Sequence, residues 1–329
     1  MTPVRWGILS TARIATQKII PAMRKSADIE IAAIASRTPE AAQAAAAELG
    51  IPVAHGSYEA LLADPNVEAI YNPLPNHLHV PLTLAAVRAG KHVLCEKPFA
   101  IHAAELDVLR PYASQVHIGE AFMVRFHPQW QAVRERVRAG EIGALRFIQV
   151  PFCYFNDDPA NIRNRADMGG GAVYDIGCYA ITAGRWFFEA DPQRVVALMD
   201  TDPVFQTDRL ASGLLDFGAG RQLAFTVGTQ CVRYQRLLLV GSTGRIEIEV
   251  PFNAPESQPC RYFIQAAGST EPRTVTLPAA DQYQLQCEAF SRAVRSEVPS
   301  AAALDDAVMN LRVIEALFAS AASGRFERP

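Results

Sequence analysis

Lys97, Asp175 and Tyr179 are the residues whose types and spacing could do chemistry. Lys97 sits in Cys95-Glu96-Lys97-Pro98, directly after a short apolar run, His92 to Cys95, that reads as a strand. If that strand is parallel, the lysine lies at the sheet edge where α/β proteins bind ligands, and it is a candidate catalytic cation. The same residues also fit a solvated charge pair in a turn. The Lys97–Pro98 bond is of the type that can be cis. Asp175 and Tyr179 belong to Met168-Gly169-Gly170-Gly171-Ala172-Val173-Tyr174-Asp175-Ile176-Gly177-Cys178-Tyr179. Three glycines lead into a largely apolar helix, and residues four apart share one of its faces. An aspartate on such a helix calls for a partner or a task. Gly177 inside the helix costs about 1 kcal/mol relative to alanine. A ring or backbone approaching closely would explain it. A buried Asp held by a backbone cap, beside a tyrosine that is simply core, fits equally.

A second group of residues could hold an anion. Gly7-Ile8-Leu9-Ser10-Thr11-Ala12-Arg13-Ile14-Ala15 follows a predicted strand, Val4 to Leu9, and opens a predicted helix, Arg13 to Lys25. That is the context of the dinucleotide fingerprint G-x-G-x-x-G/A, which reads here S-T-A-R-I-A. Ser10 and Ala12 are small residues at its glycine positions, and the helix-start N–H groups can still bind phosphate. A plain strand-to-helix turn has the same features. The tip of the next strand reads Ala35-Ser36-Arg37-Thr38. It has no carboxylate for a ribose hydroxyl and offers a cation and two hydroxyls instead. That suits a 2′-phosphate, hence NADP(H) over NAD(H). A surface arginine beside a helix cap is the other reading.

The elements that must position these residues follow from the pattern. Strand and helix signals alternate through the first third: Ile29 to Ala35, then a helix capped by Thr38 with Pro39 at its first position and Gly50 at its end. Pro52 to Ala54, Val67 to Tyr71, His92 to Cys95 and Val116 to Gly119 are further strands, separated by helices including His79 to Arg88 and Ala103 to Tyr112. This order implies a doubly wound parallel sheet, a Rossmann arrangement. The pattern changes near Phe122. A helix at Gln129 to Arg138 precedes strand-like runs at Leu145 to Phe155, Arg194 to Met199, Gly213 to Phe217, Gln222 to Thr229, Arg236 to Val240 and Arg245 to Val250. Glycine turns join several of them, so a large, mostly antiparallel open sheet is expected. Helices at Gln282 to Arg295 and Leu304 to Ser320 close the chain. The predicted division is an α/β Rossmann domain, 1–121, and an α+β domain, 122–329; substrate binding and oligomerisation by the second are expectations that come only with a family resemblance.

Composition narrows the partners. The 329 residues carry a formal net charge of -3 and are 50% hydrophobic. That balance offers no electrostatic footprint for nucleic acid or an anionic membrane. The six cysteines are scattered without a C-x-x-C pair, which favours free thiols over a disulfide framework. They form no ligand set, and His77 and His79 fall on different helix faces, so no metal site is expected. Without a signal-like segment or a long apolar run, a cytoplasmic protein is the expectation.

Together the motifs resemble the Gfo/Idh/MocA oxidoreductase family over essentially the whole chain. The marks are Trp6-Gly7-Ile8-Leu9 with its loop, Tyr71-Asn72-Pro73-Leu74-Pro75-Asn76-His77-Leu78-His79, Glu96-Lys97-Pro98, and Glu120 to Pro128. The Gly169 to Tyr179 helix and the Gly241 to Val250 hairpin complete them. Tyr179, where many members have histidine, and the S-T-A-R-I-A loop resemble the branch of dimeric dihydrodiol dehydrogenase, NADP-dependent D-xylose 1-dehydrogenase and glucose–fructose oxidoreductase. The resemblance implies NADP(H)-dependent hydride transfer on a sugar or small cyclic diol, and a homodimer or homotetramer built through the C-terminal sheet.

It also implies roles. Tyr179 would be the base in alcohol oxidation and the acid in reverse. A phenol's usual pKa near ~10 is too high for that at neutral pH. Lys97 is the candidate cation to lower it, and Asp175 would orient the substrate or Lys97. Ser10, Thr11, Ala12, Arg13, Ile14, Ser36, Arg37 and Thr38 would bind the phosphates and adenosine end. Leu74, Pro75, Asn76, His79, Glu96 and Lys97 would line the ribose and nicotinamide. Asn156 and Arg163, before the glycine run, are candidate substrate contacts. The alternative is a catalytically silent dinucleotide-binding regulator of the same fold. A reductase of a tetrapyrrole or imine fits the E-K-P and D-I-G-C-Y pair less well.

Overall fold

The computed structural model describes residues 2–299 and 301–329. In chain order, its first strands and helices are β1 (Val4–Leu9), α1 (residues 13–23), β2 (Ile29–Ala35), α2 (Pro39–Leu49), β3 (Val53–His55) and α3 (Tyr58–Ala63). Next come β4 (Ala69–Asn72), α4 (Asn76–Arg88), β5 (His92–Cys95), β6 (Ile118–Glu120), α5 (Pro128–Arg138), β7 (Leu145–Phe155) and α6 (residues 172–188). Strands β8 (Arg194–Thr201), β9 (Asp208–Asp216), β10 (Gln222–Gly228), β11 (Gln230–Gln235) and β12 (Leu237–Gly241) follow. The last are β13 (Gly244–Ile248), β14 (Cys260–Ala266), β15 (Arg273–Leu277), α7 (Gln282–Ser296) and α8 (Ala302–Ser323). Two compact units result: Met1–Met123 with Gln282–Val308, and Val124–Asp281 with Met309–Pro329.

The first unit holds a parallel sheet in the order β3-β2-β1-β4-β5-β6. Its strands are apolar on both faces because helices cover both; Val4, Trp6, Ile8, Ala69 and Tyr71 are fully buried. The strand order reverses between β1 and β4, which makes the carboxyl ends of those strands the natural ligand edge. The caps read from sequence are formed: the Thr38 hydroxyl accepts from Ala41 N at 3.3 Å, and Gly50 ends α2 at φ 59°. α7 docks beside β1. There Trp6 Nε1 donates to Ser291 Oγ at 3.1 Å, and Arg295 pairs with Glu68 at 2.8 Å, holding that carboxyl down at about 2.

The second unit is a mixed, mostly antiparallel sheet ordered β15-β14-β13-β12-β7-β10-β9-β8, with β11 also pairing β7. It has nine strands among the described residues. The expected hairpins at Gly218 to Gly220 and Gly241 to Gly244 join antiparallel partners. β10 runs parallel to β7, because α6, β8 and β9 intervene and return the chain in the same direction. β11, β14 and β15 were not anticipated. β11 is largely polar and β15 largely exposed, so neither has the apolar alternation that marks a buried strand. α6 packs on the sheet through Phe188 against Phe217, ring centroids 4.7 Å apart. Among the described residues no helix is long and apolar enough to cross a membrane.

Candidate functional site

In the first unit the candidate residues gather at the carboxyl ends of the parallel strands. Ser10 leaves β1 with φ 85°, a left-handed conformation that disfavours side chains. Two bonds hold it there: Ser10 N donates to Ala35 O at 2.9 Å, and Ser10 Oγ accepts from Ala12 N at 3.0 Å. Ala12 O then accepts from Thr16 N at 3.0 Å, so α1 begins immediately after the loop. The N–H groups of Arg13 and Ile14 lie in its first turn, ahead of any intrahelical acceptor. A π-helical turn, Ala15–Ile19, follows. The glycine-free loop thus takes a left-handed step at Ser10 before the chain enters α1.

Tyr58, which sequence reasoning did not select, bridges this loop to the tip of β2. Its hydroxyl is hydrogen-bonded to the Ser10 side chain. Burial raises its pKa, and the nearby Arg37 guanidinium pulls the other way. Arg37 and Thr38 are exposed and Ser36 is buried, with Ser36 N donating to His55 O at 3.2 Å. Arg13 is exposed as well, while Thr11 and Ile14 are half-buried in the loop. Nothing in the sequence around Tyr58 signalled this, since its link to Ser10 spans 48 positions of chain and is made only by the fold.

After β4, the Leu74-to-His79 loop is held by buried polar groups. Asn72 Oδ1 accepts from Leu74 N at 3.3 Å, and Asn72 Nδ2 donates to His79 O at 3.1 Å. His79 itself is fully buried, with its ring nitrogens 2.8 Å from Pro98 O and 2.5 Å from Leu74 O. Burial brings its pKa down to about 4 against the pull of those two carbonyls. The His79 ring ties the Leu74 loop to the Lys97–Pro98 loop. Leu74 is buried, while Pro75 and Asn76, at the start of α4, are half-buried. Asn72, the missed residue, has a readable signal, an asparagine ending a fully apolar strand. The Lys97–Pro98 peptide is cis. Glu96 accepts from the buried Tyr71 hydroxyl at 2.5 Å, so its carboxylate is fixed beside the half-buried Lys97.

In the second unit α6 carries Asp175 and Tyr179. Its first full turn, Val173–Gly177, is π-helical. Tyr179 is 5% exposed, its ring 5.6 Å from Phe252 and 6.1 Å from Phe152, an aromatic wall that fixes the phenol. One turn earlier, Asp175 Oδ2 accepts from the Tyr154 hydroxyl at 2.6 Å and pairs with Arg163 Nε at 2.9 Å. Burial and the Asp175 charge push the Tyr154 pKa far up, so that hydroxyl stays a donor. Arg163 is held firmly charged, first by Asp175, then by Tyr154 and Tyr179. Tyr154 was readable in principle, lying two residues from Phe152 on the same strand face.

The glycine run has protein reasons. A Cβ at Gly170 would lie 2.5 Å from Arg163 O, and one at Gly171, at φ 113°, would lie 1.9 Å from Asp208 Oδ1. Asp208 caps α6, accepting from Val173 N at 2.7 Å; burial raises its pKa to about 7. Gly177 differs from expectation: the nearest atoms to a Cβ there are Val173 Cβ and Cγ1 at 3.5 Å and Ala172 O at 3.6 Å, ordinary contact distances that do not demand a glycine. Asn156 follows β7 directly. Its Oδ1 accepts from Asp158 N at 3.0 Å and faces Asn164 Nδ2 at 3.3 Å, so it braces its own loop.

Family comparisons agree with both halves. Residues 4–118 match the model of an oxidoreductase family with an NAD-binding Rossmann fold. Residues 130–247 match the GFO/IDH/MocA C-terminal domain. The chain is 38% identical to D-xylose 1-dehydrogenase (NADP(+)) 2 of Haloferax volcanii, over 97% of this chain and 98% of that one. It is 32% identical to a trans-1,2-dihydrobenzene-1,2-diol dehydrogenase of Xenopus laevis, over 74% of each. Among solved structures, KijD10, a 3-ketoreductase from Actinomadura kijaniata in complex with NADP and TDP-benzene, superposes with a TM-score of 0.89. It shares 30% identity, covering 97% of this chain and 98% of that one. A NAD(P)-binding Rossmann sheet, a mixed sheet carrying a tyrosine helix, and full-length relatives of this kind place the chain in the Gfo/Idh/MocA oxidoreductase family.

Proposed function

We propose that this protein is an NADP(H)-dependent oxidoreductase that interconverts an alcohol and a carbonyl on a sugar or a small cyclic diol. The observation that carries the reading is Tyr179, fixed by Phe152 and Phe252 one turn from the charged Asp175–Arg163 pair. A phenol so placed can move a proton at its hydroxyl oxygen. The names of the relatives support sugars, sugar nucleotides and diols as the substrate class.

The residues at the parallel-sheet edge fit a dinucleotide. The left-handed step at Ser10 turns the helix start of α1 toward a phosphate, and exposed Arg37 suits the 2′-phosphate. Ser36, Thr38 and Arg13 belong to the same end. Leu74, Pro75, Asn76 and Glu96 are assigned to the ribose and nicotinamide. The nicotinamide, when bound, accepts or supplies the hydride. Tyr179 takes the hydroxyl proton in oxidation and returns it in reduction. Lys97 is assigned to the reacting oxygen as a cation. We also assign the exposed face of the second unit's sheet to subunit contact.

The test is a panel of aldoses and trans-diols with NADP and NAD, read by absorbance of the reduced cofactor. Tyr179→Phe is expected to lower turnover at least ~100-fold with NADPH binding nearly intact. Full activity of that variant would overturn the reading. Arg37→Ala is expected to weaken NADPH binding about 10- to 100-fold and to spare NADH. Equal losses for both cofactors would remove the 2′-phosphate assignment. Tight NADPH binding without turnover of any alcohol or carbonyl would favour the silent regulator.

A further inference from the structure

We propose that Arg163, held as a neutral pair with Asp175, reads a second hydroxyl next to the reacting one, so that the substrate is an uncharged vicinal diol or aldose. Sugars bearing a phosphate or a carboxylate are disfavoured by the same pair. This rests on the assignment of Tyr179 as the proton-transferring residue, and it goes further by fixing the substrate's charge and its second hydroxyl.

β7 sets the pair beside the phenol. Phe152 lies against Tyr179, ring centroids 6.1 Å apart, and Tyr154, two residues on and on the same strand face, donates to Asp175 Oδ2 at 2.6 Å. Asp175 precedes Tyr179 on α6 by about one turn, roughly 5–6 Å along the axis, a span that hydroxyls on adjacent carbons can bridge. Arg163 Nε meets the same Asp175 oxygen at 2.9 Å. The backbone of Arg163 is fixed as well. Its carbonyl accepts from Gly171 N at 2.9 Å, and its N–H donates to Asn161 Oδ1 at 3.1 Å. The ion pair runs through Nε and the side chain is 42% exposed, which leaves the outer edge of the guanidinium open. Among the described residues, neither Nη group of Arg163 donates to the protein.

Charge decides what that edge can take. The segment from 156 to 179 carries two cations, Arg163 and Arg165, against four carboxylates, Asp157, Asp158, Asp167 and Asp175. Both cations are paired, Arg163 with Asp175 and Arg165 with Asp167, each at 2.9 Å. Tyr154 stays protonated and adds no charge. A phosphate or carboxylate at this wall therefore meets an acidic segment with no spare cation. An uncharged hydroxyl meets no such repulsion, and its oxygen can accept from the Nη groups, which are donors only. A diol or an aldose offers that oxygen on the carbon next to the reacting one. A simple alcohol does not, so its binding would cover guanidinium donors without satisfying them, and an unpaired donor costs more than a bond gains.

The experiment measures kcat/KM on matched substrates with saturating NADP, in wild type, Arg163→Gln, Arg163→Lys and Tyr179→Phe. Two pairs differ only in the neighbouring hydroxyl: trans-1,2-cyclohexanediol against cyclohexanol, and D-glucose against 2-deoxy-D-glucose. Two differ in charge: D-glucose against D-glucose 6-phosphate, and against D-glucuronate. Wild type is expected to prefer the member with the second hydroxyl about 10- to 100-fold. It should disfavour each anion at least ~10-fold. In Arg163→Gln the loss should be at least ~10-fold greater for the diol than for cyclohexanol, and Arg163→Lys, which keeps the charge without the fork, should lie between. Equal losses on both members of a pair would make Arg163 structural and overturn the proposal. Anionic sugars turned over as well as D-glucose would overturn it too. Thermal melting and NADPH affinity identify a variant that fails to fold, in which case the wild-type substrate pairs carry the test. Full activity of Tyr179→Phe, or no turnover of any alcohol, would sink the underlying reading. An inactive Tyr179→Phe with the wrong hydroxyl or charge preference in wild type would sink this proposal alone.

Discussion

Two turns in this molecule lead into a helix that begins with a π-helical turn, and they are built in opposite ways. The Ser10 loop enters α1 without a glycine after Leu9, and the Gly169 to Gly171 loop enters α6 with three. In the first, the left-handed residue is a serine whose hydroxyl bonds Ala12 N. In the second, Gly171 at φ 113° makes room for the Asp208 carboxylate, which occupies the helix N-terminus. The difference teaches what each helix start is for. A helix N-terminus filled by the protein's own carboxylate has no place for another anion. At the α1 start the Ser10 hydroxyl bonds Ala12 N, and first-turn N–H groups such as those of Arg13 and Ile14 are of the kind that can take a phosphate. Glycine count, taken alone, would assign the two turns the wrong way round.

The largest expected effect breaks the second turn. Gly171→Ala puts a Cβ within 1.9 Å of Asp208 Oδ1 and forces φ 113° on a side chain. We expect a loss of about 3–5 kcal/mol in urea unfolding, together with loss of turnover. Gly90→Ala is the control, because φ there is 74° but nothing lies within 4 Å. It should cost only about 1 kcal/mol. Equal costs would mean that backbone conformation, not the approach of Asp208, explains the glycine.

The cap itself gives a pH signature. Burial raises Asp208 to about 7, with the N–H groups of Val173 and Ala172 opposing. Its folded pKa therefore lies above the unfolded value near ~3.9. The stability that follows is fully present below about pH 4 and is lost as pH rises through 7. Against Asp208→Asn, wild type should lose up to about 4 kcal/mol of relative stability between pH 4 and 8. A pH-independent difference between the two proteins would mean that the helix start keeps the carboxyl ionised throughout.

These two turns also mark how far a sequence can be read. Local signals carried the parallel sheet: a cap at Thr38, a stop at Gly50, and apolar runs buried on both sides. The loop at Ser10 and the helix after it followed from their place behind β1. Asp208 did not, because its bond to Val173 spans 35 residues and no pattern near it calls for a cap. Arg163 was visible as a polar residue before the glycines, yet its pairing with Asp175 depends on how the loop folds back. His79 and Asn156 show one shared limit of local sequence. A polar side chain beside a site looks alike in sequence whether it faces a ligand or backbone carbonyls. β14 and β15 escaped because the chain before and between them is rich in Pro, Ser and Gly, which reads as loop.

The smallest effect tests the first turn, and there the order of two variants matters more than their size. Ser10→Ala keeps φ 85° on a side chain and removes the bond to Ala12 N. It should cost about 1–2 kcal/mol in unfolding. Ser10→Gly removes the same bond but also the conformational strain, so its net change should stay within about 1 kcal/mol of wild type. NADPH affinity, read by quenching of tryptophan fluorescence, should follow the same order, with glycine nearer to wild type. That order would make the serine a working substitute for the fingerprint glycine, its hydroxyl compensating a strained backbone. If Ser10→Ala matched wild type in both measurements, the hydroxyl would contribute nothing, and the contrast with the Asp208-filled turn would rest on the helix N-termini alone.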